Sequence, residues 1–311
     1  MRTLICGSIA YDTVMVFQGR FADHILPDQV HILNVSFLVP EMKREFGGCA
    51  GNIAYSLKCL GGEPLPMATV GDDAGPYLER LDALGIDRRF VSRVPGSYTA
   101  QAFITTDLND NQLTAFHPGA MGHSHLNAVP ADSGIRLGIV APDGRDGMQQ
   151  HAQQFAEHGI PFVFDLGQAM PLFNGEELLW FIARASYVTL NDYEARVVVE
   201  RTGLALGELA TRVKALVVTR GVEGSDIYVE GSSIHIPVAP AHRIVDPIGC
   251  GDAYRGGLLA GIANGLDWDT TGRLAAVMGA LKIEASGAQN YVADRNSIAD
   301  RFREAFGYRP W

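Results

Sequence analysis

Seven residues late in the chain, Asp246-Pro247-Ile248-Gly249-Cys250-Gly251-Asp252, combine a glycine-bracketed turn with a carboxylate, and run straight into Ala253-Tyr254-Arg255-Gly256-Gly257-Leu258-Leu259-Ala260-Gly261. A segment so rich in small residues reads as a tightly packed helix. The backbone N–H groups of Gly249, Cys250 and Gly251 can then turn toward one point, with the positive end of the helix dipole behind them. Such a turn binds an anion. Asp252 needs a different task there, and the natural one is to take a proton. A base beside an anion hole is the minimum equipment for phosphorylating a hydroxyl. The same residues also read as a plain helix cap, since Asp is a favoured N-cap residue and glycine turns precede many helices.

Other residues are placed to meet a ligand. Asp12 comes just after the strand-like run Thr3 to Ser8, where open α/β sheets hold ligands; it also fits a turn residue bonded to its own backbone. Gly47, Gly48 and Asn52 open a segment in which Ile53, Leu57 and Leu60 fall at i, i+4 and i+7. That spacing predicts a helix with one buried face, ended by Gly61. Amides at its start can hold sugar oxygens, or the glycines can serve only to pack a capped helix close to a strand. Asn191 and Glu194, three residues apart after the strand Tyr187 to Leu190, match a capping box, and spacing does not separate that role from one at a ligand. Asp165 ends the strand Ile160 to Asp165 on the presumed ligand side, as a phosphate or metal contact or as a simple β–α turn. His123 and His125 form an H-x-H, but no Cys or acidic pair stands beside it at metal spacing, so a solvated loop is expected.

Positioning these residues calls for an alternation of strands and helices. Pro66 to Gly71, Ile135 to Val140, Ile160 to Asp165, Tyr187 to Leu190 and Leu216 to Gly221 read as buried strands, with helices running to Leu84 and to Glu157. Parallel strands joined by right-handed crossovers are the expected arrangement. A hairpin from Ser225 to Pro237 follows, and Leu274, Val277, Met278, Leu281 and Ile283 mark a long late helix. Two stretches break the rhythm. Thr13 to Phe17, Val35 to Val39 and Arg44 to Phe46 are short strand candidates separated by Gly19, Pro27 and Pro40. Thr99 to Thr106 and Gln112 to Phe116 flank the turn Asn109-Asp110-Asn111. Two such β excursions would pair into a small sheet over one face of an α/β core.

A chain of 311 residues, 47% apolar, can bury a large core, and no part of it reads as disordered. It holds no apolar run of roughly 18 residues, and its start leads directly into a strand pattern. Neither a membrane partner nor a secretory signal is expected, and the cytoplasm is the expected location. Cys6, Cys49, Cys59 and Cys250 lie far apart without a C-x-x-C, which fits reduced thiols. A formal charge of −10 discourages nucleic-acid binding.

The stretch Asp246 to Asp252 resembles the D-T/P-x-G-A-G-D signature of the ribokinase family, the carbohydrate kinases also called PfkB. Pro247 and Cys250 stand where that family often has Thr and usually has Ala, and neither change removes a required backbone donor. Gly47 to Ala54 is similar to the family's other signature, G-G-x-x-x-N-x-A. The resemblance implies Asp252 as catalytic base, Gly249, Cys250 and Gly251 as anion hole, and Asp12, Gly47, Gly48 and Asn52 at the sugar hydroxyls. It further implies Asn191 and Glu194 arranging Mg²⁺ through water, and Thr219 and Gly221 contacting ATP, with Arg220 at a phosphate or on the surface. The segment Ile104 to Ala120 and the run Gly7 to Asp12 resemble prokaryotic adenosine and nucleoside kinases of the family, which adds Gln112 to the substrate residues.

The fold so implied is one ribokinase-like α/β domain over 1–311: a three-layer sandwich whose mainly parallel sheet is flanked by helices, with a β lid from insertions at about 13–46 and 98–117. The implied reaction is ATP- and Mg²⁺-dependent phosphorylation of the 5′-hydroxyl of a purine nucleoside, adenosine first. Phe17, Phe21, Phe37, Leu38, Phe103 and Phe116 are expected to supply an apolar slot for the base. A free sugar such as ribose or fructose is the alternative acceptor, and a non-catalytic sensor the alternative class. K⁺ as a further cofactor, and a monomer or homodimer, are left open.

Overall fold

Leu4 and Cys6 pack into one apolar cluster and Ile5 into another, the mark of a strand buried on both faces. In the computed structural model, which describes all residues except 26–33, 110, 132 and 133, that strand lies inside a nine-stranded sheet. Pro27 and Asp110, expected to break a strand and to form a turn, lie outside the described residues.

The chain runs β1 (Arg2–Cys6), β2 (Ala10–Val16), β3 (Glu41–Gly47), α1 (Cys49–Cys59), β4 (Glu63–Val70), α2 (Gly75–Ala83), β5 (Phe90–Arg93), β6 (Ala100–Thr106) and β7 (Gln112–His117). It continues through β8 (Ile135–Val140), α3 (Arg145–Glu157), β9 (Phe162–Asp165), α4 (Gly175–Ile182), β10 (Tyr187–Asn191), α5 (Asp192–Thr202), α6 (Leu206–Ala210) and β11 (Ala215–Thr219). A hairpin of β12 (Ser225–Val229) and β13 (Ser232–Ile236) precedes α7 (Cys250–Ala263), α8 (Trp268–Ile283) and α9 (Arg295–Phe306).

The large sheet has the order β13-β12-β11-β10-β9-β8-β1-β4-β5, parallel throughout except for the β12 and β13 hairpin at one edge. α1, α2, α7, α8 and α9 contribute to the cluster on one face, and α3, α4, α5 and α6 to the cluster on the other. The architecture is therefore ribokinase-like: three layers, with a separate small sheet of order β3-β2-β6-β7 as a lid. Within the lid β2 pairs antiparallel with β3 and parallel with β6, while β6 and β7 form an antiparallel hairpin.

Two local expectations need correction. Val35 to Val39 is not a strand; Phe37 instead packs its ring at 4.8 Å from Phe17 and 5.1 Å from Phe21, with Leu38 86% exposed. Its apolar residues are recruited by an aromatic cluster, not by a sheet. The strand expected at Arg44 to Phe46 is longer, Glu41–Gly47, because it pairs with β2 along its whole length. Among the described residues, no helix is long and apolar enough to cross a membrane.

Candidate active site

Gly249 caps the start of α7; its φ of 82° is left-handed and its added Cβ would stand 2.7 Å from that of Ala288, so only glycine fits. Among the described residues, no carbonyl or side chain accepts from the amides of Gly249, Gly251 and Asp252. Cys250 departs from expectation: its N–H is taken by the Pro247 carbonyl at 3.1 Å. The donor set at this helix end is therefore displaced by one residue toward Asp252, because a turn residue that closes its own hydrogen bond is no longer a free donor.

Asp252 is the point where two distant segments meet. Asn52, in the first turn of α1 and 5% exposed, donates from Nδ2 to Asp252 Oδ2 at 2.8 Å. Its amide cannot turn over, because Asn52 Oδ1 accepts from Gln289 Nε2 at 2.9 Å. Gln289 Nε2 also donates to the Tyr77 hydroxyl at 2.8 Å, and that hydroxyl donates to the Gly47 carbonyl at 2.7 Å. A continuous buried chain thus runs from the paired glycines to the carboxylate. The Asp252 carboxylate also takes a hydrogen bond from the Cys49 side chain.

Asp12 joins from the lid. It lies within β2, not merely after β1, opposite Glu45 on one side and Ala102 on the other. A side chain at Gly47 would start 2.8 Å from Asp12 Cγ, and Gly48 holds φ 85° against the backbone of Ser8 and Ala10, so the glycine pair makes room for this carboxylate. The first amides of α1 are not free, however. Cys49 N–H donates to Ser8 Oγ at 3.1 Å and Ala50 N–H to the Ser8 carbonyl at 2.9 Å.

Both acids hold their protons unusually well. Loss of hydration, with Asp165 adding to it against Asn52 and Arg255, pushes Asp252 up to about 6. Loss of hydration, then the charges of Asp246 and Glu45, push Asp12 to about 6 as well. If Asp252 works as a base it must be ionised, so kcat/KM is expected to fall at least tenfold for each pH unit below about 6 and to level off above it. A pH–rate profile from acid to neutral checks this, and a flat one contradicts it.

Asp165 does not face a ligand. It is 2% exposed and binds Arg255 through two oxygens, Arg255 Nε to Oδ2 and Nη2 to Oδ1, each at 2.9 Å. Arg255 sits one turn after Asp252 on α7 and also donates to the Gly251 carbonyl at 3.3 Å, so the pair fixes the helix that carries the carboxylate. Asn191 and Glu194 form a complete capping box: Asn191 Oδ1 accepts from Glu194 N–H at 2.7 Å, and Glu194 Oε2 accepts from Asn191 N–H at 2.8 Å. Thr219 pairs directly with Asn191 in the sheet, placing both at the strand ends beside the Asp165 station. Gly221 is exposed just beyond, with φ 55°. Arg220 is held by Asp226 at 2.6 Å, which ties it to the hairpin.

The lid residues separate by face. Directly paired strand residues point the same way, so Asp12, Ala102 and Phe116 share one face, whereas Phe103 lies on the other with Thr13. Gln112 shares the Asp12 face but stands four residues from Phe116, roughly 13 Å along the strand, so the structure does not bring it to Asp12. Phe17, Phe21 and Phe37 pack on one another and give no open slot. His123 and His125 lie not in a solvated loop but in a 3-10 helix, Gly119–Leu126, with His125 half-buried; among the described residues no group of three His, Cys, Asp or Glu is placed to bind an ion. Sequence reasoning missed Tyr77, Gln289 and Arg255. Only Arg255 carried a signal, its i, i+3 spacing from Asp252.

A lidded α/β sheet with a carboxylate at a glycine-bounded helix start defines the class, a phosphotransferase. The chain belongs to the pfkB family of carbohydrate kinases, ATP-dependent enzymes whose profile matches residues 11–295. A nucleoside kinase of Methanocaldococcus jannaschii is 29% identical over 277 residues, covering 87% of this chain and 90% of that one. The structure of Burkholderia thailandensis nucleoside kinase in complex with inosine is 54% identical, with a TM-score of 0.90 over 99% of both chains. The same protein in complex with ADP-inosine is 56% identical, with a TM-score of 0.88, covering 99% of this chain and 97% of that one.

Proposed function

We propose that this enzyme transfers the γ-phosphoryl group of ATP to the 5′-hydroxyl of a purine nucleoside. The observation that carries the reading is the Asp252 carboxylate, oriented by Asn52, beside the amides of Gly249, Gly251 and Asp252, which have no partner among the described residues. Asp252 Oδ1 accepts the hydroxyl proton as the alcohol oxygen bonds to phosphorus. The bond from phosphorus to the β–γ bridging oxygen breaks and ADP leaves. The amides offset the charge on the moving phosphoryl group. Asp12, Gly47, Gly48 and Asn52 orient the ribose, and Thr219 and Gly221 stand at the nucleotide.

Mg²⁺ fits near Glu194 through water. Glu194 is 5% exposed, its two oxygens already accept from Asn191, and lone pairs remain for a metal-bound water. When bound, the ion would offset negative charge on the phosphates, with Glu194 and Asn191 holding its water.

A nucleoside acceptor is favoured over a free sugar by Phe116. It is 51% exposed on the Asp12 face, directly across the lid from that carboxylate, where a base attached to a bound ribose would meet an aromatic ring. The likeness to a nucleoside kinase solved with inosine supports the same choice. ADP release measured with adenosine, inosine, guanosine, ribose and fructose tests it. Turnover of a purine nucleoside at a kcat/KM well above both sugars is expected; turnover of the sugars alone overturns it.

A further inference from the structure

Lys282, on α8, is 0% exposed and has no part in the chemistry above. A lysine that deep requires partners. Its Nζ donates to the Asp246 carbonyl at 2.7 Å and the Ala285 carbonyl at 3.1 Å, with Asp246 Oδ2 at 3.5 Å. Asp246 in turn ties two turns together, accepting from Ile248 N–H at 2.9 Å and Gly287 N–H at 2.8 Å. The lysine stem passes beneath Gly249, whose added Cβ would be 3.8 Å from Lys282 Cε. Its charge is felt at Cys250, where it opposes the rise that burial imposes on the thiol.

Two carbonyls and a carboxylate converging under a loop are the oxygen set that a hard cation takes. Here a covalently attached ammonium holds it. We propose that Lys282 is a built-in cation for the turn that starts α7: it fixes residues 246–249, places permanent positive charge behind the free amides, and makes the reaction independent of monovalent metal ions. K⁺, left open by the family resemblance, then has no vacancy at these oxygens. The inference rests on the assignment of this turn as the anion hole, and makes Lys282 a positioning residue.

Initial rates in a buffer whose only counter-cation is N-methylglucamine, then with KCl, NaCl or methylammonium chloride at constant ionic strength, test it. The wild type is expected to vary by less than about twofold in kcat. Lys282→Ala is expected to lose roughly 10²-fold in kcat, as when one oxyanion-hole donor is removed, with a much smaller change in acceptor KM. Methylammonium or K⁺ should then restore at least about tenfold, by refilling the oxygen set. A wild type that K⁺ activates several-fold overturns the proposal, as does a folded Lys282→Ala whose loss no cation relieves. The wild-type response decides alone if the variant does not fold. A wild type that releases no ADP with any acceptor under any cation instead removes the phosphotransfer reading.

Discussion

Asp252→Asn is expected to lower kcat by at least ~10²-fold, the lower range for loss of a general base, while acceptor KM stays within about threefold. The amide keeps the size of the carboxylate and can still meet Asn52, so the amide turn and the ribose contacts survive. What disappears is the carboxylate proposed to accept the hydroxyl proton. Steady-state kinetics with the preferred nucleoside gives the result directly, and circular dichroism confirms that the variant is folded. A kcat near that of the wild type removes Asp252 from the role of base. A large rise in KM at constant kcat makes it a binding residue instead. The acid limb of the pH profile belongs to the same experiment: it should vanish in Asp252→Asn if Asp252 sets it, and persist if Asp12 does.

Asp165→Ala is expected to destabilise the fold by about 3–5 kcal/mol, the usual cost of stranding one member of a buried ion pair. Arg255 is 6% exposed, and with Asp165 gone its guanidinium keeps, among the described residues, one hydrogen bond, to the Gly251 carbonyl at 3.3 Å, and the charges of Glu194 and Asp252. Thermal unfolding should show a Tm lower by several degrees, at ~2 °C or more per kcal/mol. Activity should fall too, since Arg255 shares a helix turn with Asp252. The double variant Asp165→Leu with Arg255→Met separates the two effects: an apolar pair of similar volume is often neutral in stability, so Tm should largely recover. If the single variant unfolds with wild-type Tm, the pair contributes nothing that solvent does not replace.

The two acids with raised affinity for protons show how much the site depends on convergence. Asp12 answers to Asp246 and Glu45, and Asp252 to Asp165 and Arg255, residues scattered over the length of the chain. The lid makes the same point. Alternation along Thr99 to Phe116 predicts strands, yet which of Phe103 and Phe116 faces Asp12 depends on register with β2. A one-residue shift would exchange them. The aromatic residues around Phe17 looked like a ligand slot because composition does not tell whether rings meet a ligand or each other.

By itself the sequence determined what depends on neighbours a few residues apart. The glycine turn and helix at Gly249 to Asp252, the Asn191 and Glu194 capping box, the helix opened by Gly48, and the two β excursions all follow from backbone preferences and short spacings, which act locally. Only the tertiary structure decided which distant groups share a hydrogen bond. Gln289 lies 237 residues from the Asn52 it orients, and Arg255 lies 90 residues from the Asp165 that holds it. Lys282 reads on paper as a solvated helix charge, yet it is buried and donates to the carbonyls of Asp246 and Ala285. Such contacts are set by how layers stack and by the need to partner every buried charge, and no spacing along the chain encodes them.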